Sequence, residues 1–369
     1  MPSTPSLRRI VLTASCLVAI ALMSHARAVV QAQAPTLQVI ASGLDNPRGL
    51  AFGTDGALYV VEAGRGGSST LCTPQVENPT GPLRCYGPSG AITRITASGQ
   101  QRVVTGLPSM ATPDGMNATG PHDIDFGLGR AFVTVGFGGN PAGRAPFEAQ
   151  GIRFGTLVRV LPNGQWDYVV DISAYEVANN PDGGAIDSNP YGLRVLADRA
   201  VVTDAGANAL LQISLNGNIS TLAVFPNRVV PPPVQSVPTS VTEGPDGSLY
   251  VGELTGAPFP VGAARVYRVP ASGGTPVPVI GGFTNIIDVA FSSSGLGYVL
   301  EHDADGIIPA IGPGVAGRLI RVNADGSQTV IPTPGLVKPG NMAFGPDGAL
   351  YITNRSIFPG TGEVVRLVP

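Results

Sequence analysis

Charge is scarce in this chain. Asp, Glu, Lys and Arg make up 13% of its 369 residues, and the net charge is −3. Lys338 is the single lysine, and no basic cluster follows Arg8-Arg9. That excludes nucleic acid as a partner, because phosphate neutralisation needs clustered cations. Tryptophan occurs once. The only long apolar run is Ile10 to Met23, so no later stretch is able to span a bilayer as a helix. Helical periodicity is missing throughout. G-x-S-x-G, H-E-x-x-H and C-x-x-C are also missing, which removes three familiar catalytic devices. One G-x-G-x-x-G occurs, Gly312 to Gly317, but it contains a proline and leads into a strand-like run. A phosphate loop needs strand, turn and helix, so this is a plain connection. Lys338 has no evident serine partner, so no Ser-Lys dyad is assigned.

The apolar run follows Arg8-Arg9 and precedes two small-residue sites, Ala26-Arg27-Ala28 and Ala32-Gln33-Ala34. This is the order of a secretory signal, cleaved after Ala28 or Ala34. Val11-Leu12-Thr13 matches a twin-arginine pattern only in part, and the apolar segment continues past Cys16, against a lipoprotein site. Residues 1–34 are therefore assigned to the signal and 35–369 to one mature domain, periplasmic or extracellular and monomeric. Cys72 and Cys85 remain after processing. In an exported chain such a pair forms a disulfide, and no histidine close in sequence supports the zinc alternative.

What the chain has in abundance is 50 glycines, 35 prolines and one motif. NPRGLAF (Asn46 to Phe52), GPHDIDF, NPYGLRV, VPTSVTE, NIIDVAF and KPGNMAF (Lys338 to Phe344) recur at intervals of roughly fifty to seventy residues. After each come a second run (ALYVVE, AFVTV, AVVTD, SLYVGE, GYVLE, ALYITN), a third with a polar or arginine partner, and usually a fourth. Asn-Gly and Asp-Gly turns separate them, the strongest short-range hairpin signal. GTDGALY (Gly53 to Tyr59) and GPDGALY (Gly345 to Tyr351) are one inner hairpin stamped out blade by blade. Six units of four antiparallel strands predict an all-β, six-bladed β-propeller. The last unit stops after three runs, so TLQVIAS (Thr36 to Ser42) is expected to supply its fourth strand and remove the open edges.

First-strand entrances and second-strand exits share one face of such a ring. Arg48, His122 and Tyr191 stand at entrances, with Asp123, Asp288 and Asn341 one position on. Glu62, Asp204, Glu253, Glu301 and Asn354 stand at exits, and the polar insertion Ala178 to Leu193 brings Asn189. The long connections Ala63 to Ser89 and Gly136 to Phe154 emerge there too, and loops carry function. This mouth is the candidate binding face for a small molecule or a protein. The plainer reading is that each exit residue accepts hydrogen bonds from the following turn. The ring is also of the oxygen-donor type that holds Ca²⁺ or another divalent cation, with Asp204, Glu253 and Glu301 as candidate ligands; no cofactor is assigned. His122 is the best catalytic candidate, as base, metal ligand or hydrogen-bonded mouth residue. His302 precedes Asp303-Ala304-Asp305-Gly306, which does not complete an EF-hand.

Together SGLDNPRGLAFG, GPHDIDF, SNPYGL, TDAGANALL, QSVPTSVTEGPDG and VGELTGAPFPVGAARVYRV resemble the ScyD/ScyE-type exported propellers, named for proteins encoded with scytonemin biosynthesis. The resemblance covers nearly all of the mature chain. It implies an exported six-bladed propeller related to NHL and gluconolactonase-like propellers, and it implies no particular activity or pigment role. Three functions remain open: a ligand- or partner-binding scaffold, a metal-dependent hydrolase of the lactonase kind, and a quinone-dependent sugar dehydrogenase, which rests on fold analogy.

Overall fold

The computed structural model describes residues 1–2, 35–75, 78–229, 233–306 and 316–368. The signal segment and most of the Gly312 to Gly317 motif lie outside the described residues. The chain divides into Met1–Gln33 and a single compact unit, Ala34–Pro369.

That unit is a six-bladed β-propeller. The blades' first strands are Pro47–Phe52, Pro121–Gly127, Pro190–Val195, Pro238–Glu243, Ile286–Phe291 and Asn341–Phe344. Each packs against the next, and the sixth packs against the first, which closes the ring. Every blade is an antiparallel sheet of four strands, with a short fifth, Cys72–Thr73, added to blade one. Blade six takes its outermost strand from Thr36–Leu44, which pairs with Gly362–Val368 from Thr36 opposite Val368. Cys72 and Cys85 sit opposite one another in blade one and form the expected disulfide.

The repeated hairpin has a physical cause. In blades one, four and six the second turn residue, Gly56, Gly247 or Gly348, has φ of 74°, 73° or 76°, a region only glycine enters freely. The preceding Asp55, Asp246 or Asp347 accepts the N–H two residues on, at 3.1 Å each time. The same carboxylate binds an arginine of the third strand: Arg94 at 2.8 Å, Arg268 at 2.7 Å and Arg366 at 2.9 Å. The tyrosine of the motif packs on a first-strand phenylalanine of the neighbouring blade. Tyr59 meets Phe126, Tyr250 meets Phe291, Tyr298 meets Phe344 and Tyr351 meets Phe52, with centroids 4.8–5.2 Å apart. Such a pair contributes about 0.5–1.5 kcal/mol beyond its buried area.

Two helical segments interrupt the expected all-strand pattern. Pro141–Arg153 is a kinked 3-10 segment capped by the Asn140 side chain, which accepts the Ala142 N–H. Ile172–Asn179 is an α-helix whose N-cap, Asp171, accepts the Ala174 N–H. Both are too short for periodicity to reveal, and their caps carry the signal instead.

Candidate functional site

Six first strands line the axis, and burial along them is uneven. Pro47–Phe52, Pro121–Gly127, Pro238–Glu243 and Ile286–Phe291 each begin with four or five buried residues and open only at their ends. The channel is therefore shut at the strand entrances and open at the exits.

A plug of buried side chains, bonded mostly to backbone carbonyls, fills the entrance. Arg48 donates from Nη1 to the Ser356 carbonyl (2.9 Å) and from Nη2 to the Ala118 carbonyl (3.1 Å), bridging to its flanking blades. Burial pulls its guanidinium pKa down. His122 Nδ1 lies 3.0 Å from the Pro190 carbonyl. A carbonyl only accepts, so that nitrogen carries the proton. The His122 ring also packs on Tyr191, with centroids 4.5 Å apart. His302 makes the matching bond to the Pro339 carbonyl at 2.8 Å. Burial, then the Arg48 charge, drives His122 to about 3; burial and the Lys338 and Arg48 charges take His302 to about 3, against its carbonyl bond. Both imidazoles are neutral at ordinary pH. Beside them Lys338 and Asp303 form an ion pair with both side chains buried.

The strand-two exit residues are engaged within their own blades. Glu62 accepts the Asp45 N–H and the Thr93 hydroxyl and pairs with Arg102. Asp204 takes the Asn189 N–H (2.6 Å), the Ser188 hydroxyl (2.7 Å) and the N–H groups of Gly206 and Ala207. Glu253 accepts from Ser236, with Arg228 3.5 Å away. Glu301 accepts the Thr284 N–H and pairs with Arg318. Asn354 accepts the Val337 N–H. In most blades the donor thus belongs to the segment leading into the first strand; Asp204 alone also caps the turn that follows it. Burial raises Asp204 to about 6 and Glu253 to about 8.

Asp204, Glu253 and Glu301 end strands of three successive blades and are engaged separately, although Glu253 Oε1 has the Arg228 charge at 3.5 Å and no hydrogen bond from the described residues. Among the described residues no three His, Cys, Asp or Glu side chains converge as a cation ligand set. The donors present do not fit a chelated ion. Asn189 accepts the Phe137 N–H and anchors the connection between the second and third strands of blade two.

One position deeper, the geometry changes. Asp123 takes the Ile124 N–H on one oxygen and the Leu193 N–H of blade three on the other, both at 2.8 Å. Asp288, three blades away, repeats this with Val289 and with Met342 of blade six, again at 2.8 Å. Asn341 accepts the Leu50 N–H of blade one at 3.2 Å. Gly49 is required here, because a Cβ on it would lie 2.6 Å from the Asp123 Cα. Burial raises Asp288 to about 7, and burial plus the Asp288 charge lifts Asp123 well above the carboxylate range.

These three side chains line a funnel of about 330 Å³ that widens towards the strand exits. Its wall adds Asp125, Arg194 and Thr242. Arg194 is 40% exposed and donates to Asp125, which also accepts the Val195 N–H at 2.7 Å. Arg48, His122 and Tyr191 are not part of its lining. Sequence reasoning missed Asp125, Arg194 and Thr242, although D-I-D places Asp123 and Asp125 on one face of a strand.

Among the described residues no helix is long and apolar enough to cross a membrane. No protein-family model matches this chain, and no curated protein matches it. Solved structures do. A protein of unknown function from Bacteroides thetaiotaomicron matches with 8% identity over 91% of this chain and 76% of its own, at a TM-score of 0.55. A gluconolactonase from Xanthomonas campestris matches with 13% identity over 90% and 89%, at 0.52. The calcium-binding protein regucalcin from Agrobacterium tumefaciens matches with 13% identity over 91% and 95%, at 0.50. At these identities the likeness establishes the fold alone, a six-bladed propeller.

Proposed function

We propose that this chain is an exported propeller of the ScyD/ScyE kind that binds a small ligand in its axial funnel, reached from the first-strand exits. The observation that carries this reading is the asymmetry of the channel. Entrance groups are spent on backbone carbonyls and on one buried ion pair, whereas the funnel borders open volume with Arg194 and Thr242 only partly buried. The disulfide supports export, since such bonds persist outside the reducing cytosol. The loop-rich entrance face is then available to a protein partner. A gluconolactonase and a calcium-binding protein share the fold, but Asp204, Glu253 and Glu301 do not converge on one point, so the cation-dependent hydrolase ranks below the binding reading.

The test is a thermal-shift screen of small molecules on the mature chain, run with elemental analysis of protein purified without chelators. A ligand whose stabilisation disappears in Thr242→Phe, which fills the funnel, supports the proposal. Stabilisation that survives Thr242→Phe places binding elsewhere and overturns it. One tightly held divalent ion per chain, with hydrolysis of lactones, would replace it with the enzyme reading.

A further inference from the structure

The chain's only tryptophan, Trp166, opens the outermost strand of blade two, Trp166–Asp171, far from the axis. It borders a groove of about 600 Å³, within the size range of small-molecule sites. Side chains alternate along a strand, so Trp166 and Tyr168 face the same way, and Tyr168 is 43% exposed. Arg153, the last residue of the 3-10 segment, lays its guanidinium over the Trp166 ring, 5.5 Å from the centroid. This cation–π contact holds the guanidinium beside the ring, and among the described residues no hydrogen bond engages its N–H groups. The neighbouring arginines are occupied: Arg144 pairs with Asp171 and Arg159 with Asp167. Arg153 has no carboxylate partner among the described residues. Gln165, Thr105 and Asp167 border the same groove, and the Asp167 carboxylate is taken by Arg159 at 2.7 Å.

We propose that this groove is a second binding site, independent of the funnel, for a small carboxylate carried on a ring. Arg153 takes the carboxylate through its planar fork. Tyr168 offers an open ring face to the body of the ligand. Gln165 and Thr105 meet its hydroxyl groups. Sugar acids and aryl carboxylates share this chemistry.

The test uses the full mature chain, with its disulfide intact. Sodium glucuronate and sodium benzoate are titrated by calorimetry, with glucose and benzyl alcohol as neutral counterparts. Emission from Trp166 is followed in parallel for the sugars. Saturable binding of a carboxylate, absent for its neutral counterpart, is expected. It should weaken about tenfold or more in Arg153→Gln, the scale of one lost charge-assisted pair. It should persist in Thr242→Phe, which separates this site from the funnel. Glucuronate alone would mark a sugar acid, and benzoate alone an aryl carboxylate. Binding of neither, equal binding of a neutral counterpart, or full affinity in a folded Arg153→Gln would overturn the proposal.

Discussion

The two ends of the axial channel are made from the same six strands, yet they behave as different materials. At the entrances Arg48, His122, His302 and the Lys338–Asp303 pair are buried and bonded across blade boundaries. At the exits Arg194 and Thr242 are only partly buried and border open volume. Between the two lies a tier of acceptors, Asp123, Asp288 and Asn341, that tie three of the six first strands to the next through side chains. Adjacent first strands make no ladder with one another, since each pairs only within its own blade. Their N–H groups need other acceptors, and unpaired buried ones would be costly. The contrast teaches that titratable residues gathered at a propeller's axis are first a solution to that backbone problem. Only those which also face open space are positioned to meet a ligand.

The largest expected effect tests the closed end. Lys338→Met strands the buried Asp303 carboxylate and should cost about 3–5 kcal/mol in urea unfolding, most of it restored by adding Asp303→Leu. A loss below about 1 kcal/mol would mean that the entrance is wetter than its packing implies.

The middle tier is tested by pH. Asp288 titrates near 7 in the folded chain and near 3.8 when unfolded, so the folded state binds the extra proton between those values. Its contribution is present in full below the unfolded value and is lost as pH rises through about 7. The effect is up to roughly 4 kcal/mol. Asp288→Asn should reduce the slope of the stability profile between pH 4 and 8, with Asp204 and Asp123 still contributing; an unchanged slope would put the titration elsewhere. Buried Glu253, raised to about 8, adds a loss in the same direction that Asp288→Asn leaves in place.

A smaller effect belongs to the blade-one ribbon on the entrance side. Replacing Cys72 and Cys85 by serine opens a loop of separation 13 and should cost about 3 kcal/mol. Funnel ligands should bind unchanged, because neither residue lines that cavity. The smallest effect is at the exit-side hairpins. Asp347→Ala removes the exposed pairing with Arg366 and should change stability by no more than about 1 kcal/mol in thermal melts.

Sequence alone was enough for everything that repeats locally. Asp-Gly turns, short apolar runs and six copies of one hairpin are set within about ten residues of chain, so the blade count and the four-stranded sheets were legible, and the Thr36 closure followed from the missing fourth run of the last unit. The cysteine pair was legible because it closes a short loop. The helix Ile172–Asn179 escaped because two turns are too few for a period to register. Tertiary structure decided which end of the channel is open, that Asp123 and Asp288 brace neighbouring blades, and that Arg194 and Asp125 share a wall. It also decided that Arg153 lies on Trp166. The physical reason is common to these axial contacts: partners such as Asp123 and Leu193 are 70 residues apart, and only the closing of the ring decides which acceptor meets which N–H.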